Sequence, residues 1–99
     1  MAEFKNEKLG VRLVVPDRPN VRQQLEYYAQ AAREDSGKLF VRNWLAAQPL
    51  IVEWECASIP DVTKLDLETE TDPKIAKILM WAGSAVQKHV LALEEIPKN

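Results

Sequence analysis

Four carboxylates at two-residue spacing, Asp66, Glu68, Glu70 and Asp72, are the residues best placed for chemistry, and the chemistry would be calcium binding. A calcium loop opening this way needs a glycine at its sixth position, for a sharp turn, and a bidentate glutamate at its twelfth. Counted from Asp66, those positions hold Thr71 and Lys77. The spacing therefore reads as a solvated acidic connector whose charge could steer a basic partner. His89 is the only histidine and Cys56 the only cysteine, so together they offer two metal ligands, short of a structural zinc site. Ser84 lies five residues before His89, too far round a helix to form a nucleophile–base pair. Gly10, Gly37 and Gly83 are scattered, which leaves no loop to cradle a phosphate. These patterns predict a protein that is not an enzyme, with no metal and no cofactor.

The aromatic residues point to binding instead. Tyr27-Tyr28, Trp44, Trp54 and Trp81 are suited to filling a small core, and equally to anchoring a partner, since tryptophan and tyrosine are enriched at interface hot spots. Neighbours on a helix differ by about 100°, so Tyr27 and Tyr28 do not share one inner face. Gly83 lies among small residues beside Trp81, and a glycine inside a helix costs about 1 kcal/mol relative to alanine. Such a glycine marks close approach by another backbone. Tyr27, Trp54, Trp81 and Gly83 are the predicted partner-binding residues.

Charge narrows the partner. Residues 1–48 carry eight basic and six acidic side chains, residues 49–99 five and nine. The acidic half repels phosphate backbones, and the arginines of the first half are interleaved with acids, so nucleic acid is not the expected partner. No apolar run is long enough to cross a membrane and the first residues lack an apolar export signal. A single cysteine in apolar surroundings predicts a buried, reduced thiol and a cytoplasmic location.

The elements that carry these residues follow from periodicity and caps. Alternation over Leu9 to Val15 predicts a short strand, with Phe4 on a preceding arm; Pro16-Asp17-Arg18-Pro19 ends it. Asn20 and Gln23 resemble a capping box, opening a helix over 20–35 with Val21, Leu25, Tyr28, Ala29 and Ala32 on one face. Ser36-Gly37 supplies its stop. A second helix is predicted over 38–48, with Phe40, Val41, Trp44 and Leu45 turned inward, until Pro49 interrupts it. Residues 50–56 fit a strand through the alternation of Val52, Trp54 and Cys56, and a kinked helix nearly as well; the helical neighbourhood favours helix. An acidic connector spans 60–71. Asp72-Pro73 then caps the longest helix, 72–95, whose stripe is Ile75, Ile78, Leu79, Ala82, Val86, Val90 and Leu93. Its apolar residues occupy more than one face, which points to oligomerisation or partner docking.

The chain thus reads as one domain over residues 1–99, mainly α (α+β): three helices and a short N-terminal β element. Leu13, Val15, Leu25, Trp44, Ile51, Ile78, Leu79, Ala82 and Val86 form the expected core.

Several segments resemble small proteins of phage and prophage tail-morphogenesis regions, in particular tail assembly chaperones. They are Leu9-Gly10-Val11 through Val14-Val15-Pro16, Trp44 to Ile51, Ile78-Leu79-Met80-Trp81-Ala82-Gly83, and the ending Leu93-Glu94-Glu95-Ile96-Pro97-Lys98-Asn99. The resemblance implies a small helical, non-enzymatic, often self-associating protein in the host cytoplasm. It would coat the tape-measure protein and help recruit tube subunits, in some cases with a longer form made by frameshifting. Two other classes share these surfaces: a structural head–tail or tail-completion subunit, and a small acidic inhibitor of a host protein.

Overall fold

The computed structural model describes residues 1–32 and 39–93. Its first element is a β-hairpin of β1 (Ala2–Asn6) and β2 (Val11–Val15), paired antiparallel with Phe4 opposite Leu13. The expected arm is thus a full strand, and the expected strand starts at Val11 because residues 7–10 form the hairpin loop. Gly10 adopts φ 66° there, a left-handed conformation that glycine takes without Cβ strain. The Asn6 side chain closes the loop by accepting from the Leu9 amide at 3.0 Å.

Helix α1 (Val21–Ala31) opens on the capping box: Asn20 accepts from the Gln23 amide at 2.8 Å, and the Gln23 side chain accepts from the Asn20 amide at 2.9 Å. It ends at Ala31, four residues earlier than expected, and the Ser36-Gly37 stop lies outside the described residues. Helix α2 (Leu39–Ala47) tightens into a 3-10 turn at Gln48–Leu50, where Pro49 ends the α-helical ladder. Residues 50–56 do not continue as helix. Ile51 is extended, and Glu53–Cys56 form β3, which pairs antiparallel with β2 so that Leu13 faces Trp54 and Arg12 faces Glu55. The sheet order is β1-β2-β3, so the β content is a three-stranded antiparallel sheet and the fold is mixed α+β with three helices. The pairing is non-local, and Arg12, on the outer sheet face, takes Glu3, Glu53 and Glu55 within 3.3 Å. That constellation needs β3 beside β2.

The connector turns at Val62–Lys64 and reaches α3 (Pro73–Ala92), which Asp72 caps by accepting from the Lys74 amide at 2.9 Å. One face of the sheet packs on α3. Val11, Leu13 and Val15 meet Ile78, Ala82, Val86 and Val90 in one cluster, and α2 packs against both α3 and α1. Leu13, Val15, Trp44, Ile78, Leu79, Ala82 and Val86 are buried as expected, and Ile51 is half-buried. Leu25 is not in the core: it is 64% exposed, and Val21 on the same stripe 70%. Helix α1 instead turns Tyr27 inward, with Tyr28 and Ala31 half-buried against the cluster.

Candidate functional site

The four residues expected to bind a partner lie apart. Tyr27 is 4% exposed inside the core, edge-on to Tyr28 at 6.0 Å. Burial pushes its phenol pKa up, and its hydroxyl has no hydrogen-bond partner among the described residues. Gly83 is buried against α2, where an added Cβ would stand 3.1 Å from the Trp44 amide nitrogen and 3.2 Å from the Asn43 carbonyl carbon. The close backbone approach expected of Gly83 therefore occurs within this chain. Trp54 is half-buried on β3; its indole N–H donates to the Ile59 carbonyl at 2.8 Å, and its ring meets Trp44 edge-to-face at 5.8 Å. Trp81 is half-buried on α3, beside Phe4 and Ala85.

A different set of side chains forms the continuous apolar surface. Phe40 and Val41 at the start of α2 are 53% and 43% exposed, and Met80 on α3 is 39% exposed. With Leu67 of the connector and Ala76 of α3 they wall a groove of about 270 Å³. Trp44, Ile75 and Leu79 make its floor, and all three belong to the buried core, so the floor is fixed by the same packing that fixes the fold. Among the described residues, the charged ones lining the groove are both acidic, Glu70 and Asp72.

The sequence put Phe40 and Val41 on an inner face. Gly83 explains the difference. By letting α2 settle backbone-first on α3, it turns Asn43, Trp44, Ala46 and Ala47 into the seam and leaves Phe40, Val41 and Leu45 outside. The available signal was the spread of apolar residues over more than one face of the last helix.

The connector carboxylates are occupied locally. Asp66 accepts from the Glu68 amide at 2.9 Å and Glu70 from the Asp72 amide at 3.3 Å. Asp61 accepts from both the hydroxyl and the amide of Thr63, bonds that hold its carboxyl below the usual range. These acids shape turns and a helix cap, and of them Glu70 and Asp72 line the groove. Among the described residues no group of three or more His, Cys, Asp or Glu side chains is placed to hold a metal ion. Cys56 is buried, and His89 bonds the Pro16 carbonyl at 2.9 Å and stacks edge-on with Phe4. Among the described residues no helix is long and apolar enough to cross a membrane.

Comparison with protein-family models, with curated proteins and with solved structures gives no match. The functional reading therefore rests on the groove and its surroundings.

Proposed function

We propose that this protein is a non-enzymatic binding module whose α2–α3 groove receives the apolar face of a partner helix with basic flanks. The observation that carries the reading is the pairing of exposed Phe40, Val41 and Met80 with acidic Glu70 and Asp72 around one groove. An amphipathic helix laid in an apolar groove is a recurring recognition mode, and its anchors at helical spacing would meet walls set by two helices. A rim of one charge favours a partner of the other and raises the encounter rate. The groove is open and small, which suits a few side chains of a helix better than an engulfed small molecule.

The most concrete form of this reading is a tail assembly chaperone in the host cytoplasm, with the tape-measure protein as the helical client and the tube protein as a second partner. Resemblance in the sequence supports it, as does a groove able to cover part of a long helical chain. The test is co-expression of this protein as bait with the tape-measure and tube proteins encoded beside it. The expected result is recovery of the tape-measure chain by the wild type and its loss with the double variant Phe40→Ser/Met80→Ser. Both residues are exposed, so the variant is expected to fold. Equal recovery by the two baits would overturn the groove as the site, and recovery of neither chain by folded wild type would overturn the tape-measure reading.

A further inference from the structure

Among the described residues β1 is an edge strand, since the sheet order is β1-β2-β3, and its outer side carries backbone groups that can pair with another strand. Which residues offer them follows from one bond. The Val52 amide donates to the Val14 carbonyl at 2.8 Å, so the backbone groups of Val14 point toward β3. Successive residues of a strand point their backbone groups to opposite sides. Val11, Leu13 and Val15 therefore bond β1, through their register partners Asn6, Phe4 and Ala2. That leaves Glu3 and Lys5 presenting N–H and C=O at the free edge.

The sequence of this edge, Ala2-Glu3-Phe4-Lys5-Asn6, reverses its charge about Phe4. We propose that β1 pairs antiparallel with β1 of a second copy, centred on Phe4, to give a continuous six-stranded sheet across a two-fold axis. In that register Glu3 stands opposite the partner's Lys5, and Lys5 opposite the partner's Glu3. Both are the positions with outward backbone groups, so each forms a hydrogen-bonded pair. The two pairs contribute four backbone hydrogen bonds and two cross-strand charge pairs. Phe4 falls at the non-hydrogen-bonded position, where facing side chains come closest.

Two further observations fit a second copy as the occupant. On the outer face, Arg12 is shared among Glu3, Glu53 and Glu55, and Lys5 stands 3.5 Å from Glu3 of its own chain, a pairing that the partner's Lys5 takes over in the dimer. A hollow between β1 and α3 is lined by Phe4, Trp81 and Ala85 and rimmed by Ser84, Lys88 and the two charged residues of β1; the partner's Phe4 gains apolar cover on the first three. An interface in which one patch meets itself is the usual form of a two-fold dimer. The hollow shares no lining residue with the α2–α3 groove, so the self-pairing stands or falls independently of the client reading.

The experiment is light scattering behind size-exclusion chromatography, from micromolar to millimolar protein. Wild type is expected to move toward twice its 11.3 kDa chain mass. Glu3→Lys sets lysines opposite each other and Lys5→Glu sets glutamates opposite each other, so each variant alone is expected to run as a monomer. Mixed in equal amounts they restore both charge pairs, and the dimer is expected to return. Lys5→Pro removes an outward N–H without breaking a β1–β2 bond; it is expected to be monomeric with an unchanged circular dichroism spectrum. Wild type that stays monomeric at every concentration would overturn the proposal. So would a dimer that persists in both charge variants, or a mixture of folded variants that fails to associate.

Discussion

Helices α1 and α3 begin alike and pack unlike. Each opens on a side-chain cap, Asn20 to the Gln23 amide and Asp72 to the Lys74 amide, and each carries an aliphatic stripe. The stripe of α3 is buried from Ile75 to Val90, with Ile78, Ala82 and Val86 fully enclosed. That of α1 faces solvent: Val21 and Leu25 are exposed, and Tyr27 takes the inner side. The stripe's own tyrosine, Tyr28, is half-buried against the core, while Tyr27 beside it is enclosed, and one aromatic side chain buries about 150–250 Å². On α3 the wide aliphatic stripe is enclosed while Trp81 stays half-buried, because Gly83 lets α2 close on the stripe. Apolar spacing marks a face; what packs against the helix decides which face turns inward.

Three substitutions sharpen the contrast. Gly83→Leu on α3 drives a side chain into the backbone of α2 and is expected to cost about 3 kcal/mol or more, from forced shifts in packed helices. Chemical denaturation measures it; unchanged stability with unchanged mass in solution would contradict the close approach. On the inner side of α1, Tyr27→Phe removes a buried hydroxyl that has no hydrogen-bond partner among the described residues. Loss of an unsatisfied buried polar group is expected to stabilise by up to about 1 kcal/mol, read as a higher denaturation midpoint with the same slope. The outward stripe of α1 gives the smallest change. Leu25→Gln is expected to alter stability by no more than about 0.5 kcal/mol, as for other exposed sites. A loss of several times that would place Leu25 in the core after all.

The caps, the long last helix and most of its buried stripe were legible because they depend on neighbours three or four residues away. The strand Glu53–Cys56 was not, because its stabilising partners are Arg12 and the rest of β2, some forty residues distant, and a run of seven residues carries too little periodicity to choose. The acidic rim was legible as a charged connector. The groove walls were not: Phe40 and Val41 have the composition of core residues, and only the seam set by Gly83 puts them outside. Tyr27 was chosen for contact because two adjacent tyrosines do not share one inner face; in the structure Tyr27 is the enclosed one and Tyr28 is half-buried against the core.

The claim at the centre of this account is that an amphipathic, basic helix docks between α2 and α3. The most direct measurement is amide chemical-shift mapping during titration with a synthetic helical peptide bearing leucines on one face and lysines on the other. A peptide of the same composition in scrambled order serves as the control. The account predicts saturable shifts concentrated at Phe40, Val41, Leu67, Ala76 and Met80, weaker at high salt and absent with the scrambled peptide. Shifts centred on Val21 and Leu25 of α1, or equal shifts with both peptides, would contradict it.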